Sequence, residues 1–454
     1  MANFINKYTN IEAYNADEGK QYPNVSYLVA TDEVKWLKDD PVHIVCKYNV
    51  TSTSNATKLL QTNSGITYQI IDGVRQSSVQ STYIFDTLGE HIVKYKLDGT
   101  SIVNNAFFYC TGLKSITIPD RVTTIGDDAF RGCSGLTNIT IPDSVTSIGH
   151  RAFDGCYGLT SVTISDNVTS ISEQAFNDCS SLTSVTIPNS VTTIGKQAFN
   201  DCSSLTSVTI SDNVTSISEQ AFKGCSRLTS VTIPNSVTTI GKQAFYGCSN
   251  LTSVTIPDSV TTIGQSAFNS CTGLTSISIG SGVTTIGDYA FNSRNNVSTI
   301  TVSDANQIYD SRNNCNAIIE TASNTLIVGC SNTIIPEDIE NIYMNAFASL
   351  SQLTNITIPN SVTAIGENAF YGCTGLASVT IGSGVTSIGE SAFFYLINLN
   401  NINILATTPP TLPNADVFAN TNNCPIYVPA ESVETYKAAT NWSSYASRIQ
   451  AISE

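Results

Sequence analysis

Residue types able to do chemistry are scarce in this sequence. Only three of its 454 residues are histidine, His43, His91 and His150. They fall in separate stretches with no recurring acidic or nucleophilic neighbour, so a histidine-based triad has no home. Thirteen cysteines suggest at first a disulfide or metal framework. Most of them instead form a column at 23-residue intervals: Cys110, Cys133, Cys156, Cys179, Cys202, Cys225, Cys248 and Cys271, rejoined by Cys373. No CxxC or Cys/His grouping has zinc spacing, and free cysteine packs as a small hydrophobe, so the column reads as core. Asp143, Asp166, Asp212 and Asp258 recur once per interval and interchange with Asn189 and Asn235. A calcium loop needs several carboxylates together, whereas one Asp or Asn per turn marks a turn former. No glycine-rich phosphate loop is present, and no metal, cofactor or catalytic residue is expected.

What repeats instead is hydroxyl. Ser161 and Thr163, Ser184 and Thr186, Ser207 and Thr209, Ser230 and Thr232, and Ser253 and Thr255 fall at the same two positions of successive units. β-Branched threonine favours strands on its own account. A flat, uncharged hydroxyl lattice also suits a polar polymer such as a glycan, held by many weak repeated bonds. Ice binding would use a similar lattice, but a curved and interrupted sheet does not suit it. Charged residues make up only 13% of the chain and the net charge is −15. That balance excludes phosphate-backbone recognition, which needs clustered Lys and Arg, and disfavours anionic membrane surfaces. No stretch approaches the roughly 18 apolar residues of a membrane span. The first residues lack the basic and apolar regions of a secretory leader, so ordinary export is not expected from them.

The elements that carry these columns follow from the interval. From Leu113 the chain divides at 136, 159, 182, 205, 228, 251 and 274, and again at 353 and 376, into units of the form L-x-x-[IV]-x-I-P-x-x-V-x-x-I-x-x-x-A-F-x-x-C-x-x. Within one unit Leu182, Val185 and Ile187 alternate as a short strand does, Val191 and Ile194 continue inward, and Ala198, Phe199 and Cys202 close the turn. One unit cannot bury this apolar surface alone. Stacked units can, which predicts a mainly β solenoid with short turns, parallel ladders and a continuous core.

Residues 159–204 and 205–250 are the same pair of units copied in tandem. They differ only at Asn177/Lys223, Asp178/Gly224, Ser181/Arg227, Asn200/Tyr246, Asp201/Gly247 and Ser204/Asn250. A catalytic centre needs a unique constellation, which a copied array does not supply. All of the differences flank the cysteine. That edge is expected to be exposed and tolerant of drift; the alternative is an edge read by a partner, with Lys223, Arg227, Tyr246 and Asn250 as the candidates.

The unit L-T-S-V-T-I-P-x-S-V-T-x-I-G-x-x-A-F-x-x-C resembles the BspA-like leucine-rich repeat of surface proteins from gut and oral bacteria. The resemblance runs over roughly residues 100–404, and the stretches 309–330 and 424–452 resemble segments that accompany it. It implies a right-handed solenoid and a binding or adhesion role, and carries over no catalytic residue. Residues 303–333 break the interval, with a hairpin expected from Ala317–Glu320 and Thr325–Val328, followed by a degenerate unit holding Ile335, Ile339, Ile342, Ala346 and Phe347. A strand at Ile426–Val428 and a helix from Glu431 to about Thr440, within residues 405–454, read as a cap on the last unit. Residues 41–98 alternate in short runs and read as a small immunoglobulin-like β domain docked on the first unit, ahead of a solenoid at 99–404. Residues 1–40 resemble N-terminal stretches of virion proteins from phages of gut bacteria and read as an anchoring or assembly segment; symmetric assembly of such a tail would give a homo-oligomer. The expected setting is therefore a virion surface, with a bacterial protein or glycan as partner and other virion proteins bound through residues 1–40. The alternatives are a bacterial cell-surface adhesin and, in a different class, a polysaccharide-active enzyme with its site in the 303–333 stretch or the cap.

Overall fold

The computed structural model describes residues 43–452. The expected anchoring segment, 1–40, lies outside them. The chain divides into two compact units between Leu205 and Thr206.

In the first, Gly89–Leu97 is the centre of an antiparallel sheet, flanked by His43–Val50 and Ile66–Ile71, with Val74–Arg75 beyond. Its alternation places His91, Val93, Tyr95 and Leu97 inward. Thr57–Lys58 and Thr82–Tyr83 form a separate two-stranded ribbon. Tyr48 and Tyr95, both buried, donate their hydroxyls to the one carbonyl of Leu59 at 2.7 and 3.3 Å. The immunoglobulin-like domain expected over 41–98 is not shown: among the described residues these four strands lie in one sheet, beside a ribbon whose strands are two residues long. The docking itself is direct: His43–Val50 also pairs antiparallel with Leu113–Thr117, the first long strand of the repeat. The small sheet thus covers what would be an exposed strand edge.

From there each 23-residue turn places two short strands in two parallel ladders. One runs Leu113–Thr117, Asn138–Thr140, Ser161–Thr163, Ser184–Thr186. The other runs Ser101–Ile102, Thr124–Ile125, Ser147–Ile148, Ser170–Ile171, Thr193–Ile194. Between them the Ala-Phe turn buries its phenylalanine. Phe107, Phe130, Phe153, Phe176 and Phe199 stack with centroids 5.1 to 5.4 Å apart and planes within 5° of parallel. Strict repetition imposes this offset geometry, since identical residues one turn apart must superpose. Each thiol also has a use beyond filling space: Cys133, Cys156, Cys179 and Cys202 donate S–H to the carbonyl of the phenylalanine in the preceding turn, at 3.0 to 3.3 Å. Each of these carbonyls already accepts the amide of the cysteine in its own turn, so the thiol is a second donor that a methyl group would not replace. All thirteen cysteines are free and buried, and burial pushes the thiols of Cys110, Cys271 and Cys373 up to about 12. Such thiols are inert core groups.

The second unit repeats the plan. Ser207–Thr209 pairs with Ser230–Val231, and Ser253–Ile256, Ser276–Ile279 and Thr299–Val302 form a three-stranded ladder. The phenylalanine stack runs from Phe222 through Phe245 and Phe268 to Phe291 and again from Phe347 through Phe370 and Phe393 to Phe418. Between these stacks lies the expected irregular stretch. Tyr309–Asp310, Ile318–Glu320 and Thr325–Val328 are antiparallel, and Thr325–Val328 then pairs parallel with Asn341–Ile342, restoring the regular ladder. The expected hairpin is present, one residue shorter at Ala317. Ile335, Ile339, Ile342, Ala346 and Phe347 are buried in their expected columns.

The cap contains the strand Ile426–Val428 and the helix Val433–Ala438, shorter than expected because Ala430–Ser432 before it is 3₁₀. A last strand, Ile449–Ala451, pairs parallel with Ile426–Val428. Tyr436 and Trp442 close the apolar end and donate to the carbonyls of Ala406 and Pro410 at 2.8 and 2.7 Å.

Candidate binding surface

All ten hydroxyl residues singled out in the sequence, Ser161, Thr163, Ser184, Thr186, Ser207, Thr209, Ser230, Thr232, Ser253 and Thr255, are exposed. Within each compact unit the strand register lines them up. Ser161 faces Asn138 and Ser184, and Thr163 faces Thr140. Ser207 faces Ser230; Ser253 faces Ser276 and then Thr299; Thr255 faces Ser278 and then Thr301. The lattice therefore extends to rows the sequence pattern did not single out. Its spacing follows from the backbone, about 4.8 Å between rungs and roughly 6.7 Å between the two positions on one strand.

What distinguishes these positions is the adjacent column. Thr137, Thr160, Thr229, Thr252 and Thr275 donate their hydroxyls to the carbonyl one turn back, at 2.9 to 3.3 Å. On the second ladder Thr146, Thr238, Thr261 and Thr284 do the same. Those hydroxyls serve the fold. Among the described residues, the ten lattice hydroxyls make no such bond and remain free to meet a ligand.

The edge beside the cysteines is not uniformly exposed, contrary to the expectation. Arg227 and Asn250 are exposed and Lys223 and Tyr246 half-buried, but Asn177 and Asn200, the partners of Lys223 and Tyr246 in the tandem copy, are buried. They form an amide ladder: Asn177 donates to the Asp154 carboxylate at 2.6 Å and Asn200 to the Asn177 carbonyl at 2.8 Å. Two of the other differences are set by the backbone. Asp178 and Asp201 have φ of 55° and 56°, Gly224 and Gly247 of 74°. That left-handed position accepts glycine freely and Asp or Asn at small cost.

Asp143, Asp166, Asp212 and Asp258 are exposed on turns. Asp258 accepts the Ser281 amide at 2.6 Å, the behaviour of a turn former. Among the described residues, no group of three or more His, Cys, Asp or Glu is placed to hold a metal. The histidines stay apart, His91 pairing with Asp72 at 2.7 Å and His43 with the Tyr68 hydroxyl at 2.9 Å. No helix among those residues is long and apolar enough to cross a membrane.

One feature of the cysteine column went unread in the sequence. In the turn before the irregular stretch the column holds Arg294, which is 3% exposed. Its guanidinium donates to the carbonyls of Gly329 at 2.8 Å and Phe291 at 3.1 Å, and to that of Ala346. Burial pulls its pKa down to about 10, so it keeps its charge at neutral pH. Arginine replaces the thiol where one carbonyl becomes three. The signal was legible, as a cation in a column of cysteines.

Parallel ladders, stacked phenylalanines and capped ends define a leucine-rich-repeat solenoid. The chain belongs to the family of the BspA type leucine rich repeat region, present in six copies and matching residues 100–229, 192–319 and 324–443. Proteins of this family are typically surface proteins of binding and adhesion and are normally non-enzymatic. Among solved structures, a leucine-rich repeat protein from Bacteroides ovatus is 28% identical, with a TM-score of 0.59, over 79% of this chain and 88% of that one. A leucine rich cell surface protein from Faecalibacterium prausnitzii is also 28% identical, with a TM-score of 0.41, over 79% and 83%. A leucine-rich repeat protein from Eubacterium ventriosum is 24% identical, with a TM-score of 0.44, over 69% and 73%. No curated protein matches.

Proposed function

We propose that this chain is a non-catalytic adhesin whose hydroxyl rows hold a polar polymer, a glycan or a protein, on a bacterial surface. The observation that carries this is the division of labour between columns: threonine hydroxyls that serve the fold stand beside exposed Ser and Thr hydroxyls that have no internal partner. Each bond to such a hydroxyl contributes about 1 kcal/mol net, so one rung binds weakly and several rungs in register bind well. Display on a virion through residues 1–40 is part of the proposal and rests on the sequence of that segment. Binding by Arg227, Tyr246, Lys223 and Asn250 is a second contact the ligand would make at the neighbouring edge.

The test is a binding screen of the full chain against gut-bacterial cells, their capsular glycans and purified phage particles, with residues 1–40 present or deleted. Cell or glycan binding that survives deletion and falls at least tenfold when Thr163, Thr186, Thr209 and Thr232 are all changed to Val supports the proposal. Unchanged binding by that well-folded variant sinks it. Particle attachment lost on deletion supports the virion setting, and its absence removes that setting alone.

A further inference from the structure

The irregular stretch of the second compact unit opens a cleft of about 180 Å³ against the turn before it, lined among others by Asp288, Tyr289, Asn292, Tyr309, Glu320 and Tyr343. It interrupts an otherwise continuous stack and has none of the hydroxyl rows' character. Two of its polar groups, Asp288 and Glu320, are carboxylates, which when ionised only accept. Asp288 accepts one bond, from the Tyr343 hydroxyl at 3.3 Å, and Glu320 one, from the Ser323 hydroxyl at 2.5 Å. Among the described residues neither carboxylate has an ion-pair partner. The side-chain oxygen of Asn292 is buried with no donor. Arg294 also lines the cleft, but its guanidinium is committed to three backbone carbonyls and answers neither acid.

The two carboxylates line the same cleft, and Asp288 meets the Tyr343 hydroxyl there at 3.3 Å. Burial first and then Asp288 and Glu320 push that hydroxyl's pKa up. Around them stand three tyrosine rings. Tyr289 and Tyr343 are 42% and 39% exposed, while Tyr309 is buried. Aromatic faces attract cations and pack against methylene stems. A lysine side chain has the matching shape and charge: one ammonium with N–H donors for the two carboxylates, on a slender apolar stem for the rings.

We propose that this cleft is a receptor for a lysine side chain presented by a partner protein, a site separate from the hydroxyl rows. The partner's ammonium would supply the counter-charge that the two carboxylates lack. A single lysine side chain binds weakly by itself, so the contact selects and orients a partner that is also held elsewhere.

The full chain is titrated with Nα-acetyl-lysine amide, with its Nε-acetylated form and with glucosamine, followed by NMR of the tyrosine ring signals. Saturable shifts with the first compound, at least tenfold weaker with the Nε-acetylated form and weakened at least tenfold in both Asp288→Asn and Glu320→Gln, support the proposal. Both substitutions are nearly isosteric and lie outside the buried core, and circular dichroism checks the fold. Equal binding of the Nε-acetylated form, tighter binding of glucosamine, or no shift with the lysine compound at all would overturn it. None of these outcomes bears on the hydroxyl rows, so the two proposals fail separately.

Discussion

Replacing Arg294 by Met keeps the length of the side chain and removes its donors. The buried carbonyls of Phe291 and Gly329 then lose their donor, at about 2 kcal/mol each, and that of Ala346 keeps the Gly329 amide and loses its second bond, at about 1 kcal/mol. Against this, the variant recovers what burial costs the guanidinium. The fall of its pKa from 12.5 to about 10 puts that cost at roughly 3 kcal/mol at 1.36 kcal/mol per pKa unit. The difference is a net loss of about 2 kcal/mol. Because a solenoid melts by neighbouring turns, the loss should be local. Hydrogen exchange is the assay: the amides of Gly329, Tyr343 and Phe347, bonded to Ala346, Leu326 and Ala369, should exchange roughly thirtyfold faster, with those near Phe130 unchanged. Arg294→Lys should recover only part, since one ammonium cannot reproduce a planar fork. Less than threefold acceleration in Arg294→Met would refute the claim that this residue holds the irregular stretch in place.

At pH 8 iodoacetamide should label no cysteine in the native chain and all thirteen after denaturation, read by intact mass; rapid native labelling would contradict the buried thiol column. Asp201→Gly removes the side chain from a left-handed position and should raise local stability by roughly 0.5–1 kcal/mol, measured by exchange at neighbouring amides. The pKa of Asp178 is raised first by burial and then by Asp201 and Asp154, against the Asn177 amide. A carboxyl raised on folding binds its proton more tightly in the folded state, so its contribution to stability is greatest in acid and is lost as pH rises through the folded pKa. Asp178→Asn should flatten that part of the stability profile, and an unchanged slope between pH 3 and 6 would assign it to other acids.

Most of the fold was legible because repetition makes it so. Leu182, Val185, Ile187 and Phe199 could be assigned inward from one turn, and every other turn had to agree. The hydroxyl rows were legible for the same reason, though which threonines are free and which are bonded to the preceding carbonyl depends on side-chain direction, invisible in the spacing. The failures lie where repetition stops. Residues 41–98 alternate, but alternation fixes neither strand order nor how many strands reach more than two residues. The cleft at Asp288 and Glu320 brings together residues from separate turns that no spacing relates. Asn177 and Asn200 look like surface polar residues until the ladder through Asp154 shows why they are buried.

The thiol-to-carbonyl bond, the phenylalanine stack and the threonine ladder all join a turn only to its neighbour, and residues 159–204 and 205–250 show that a pair of turns has been copied whole. Slipped exchange between such copies in the gene can add or remove turns in register, and each new junction inherits contacts already in use. The number of rungs is therefore a quantity that recombination can vary quickly while the core stays intact. The stretch around Arg294 is the exception: its three-carbonyl contact spans non-equivalent turns and has no copy to exchange with, so variation in length should accumulate on either side of it and spare the join.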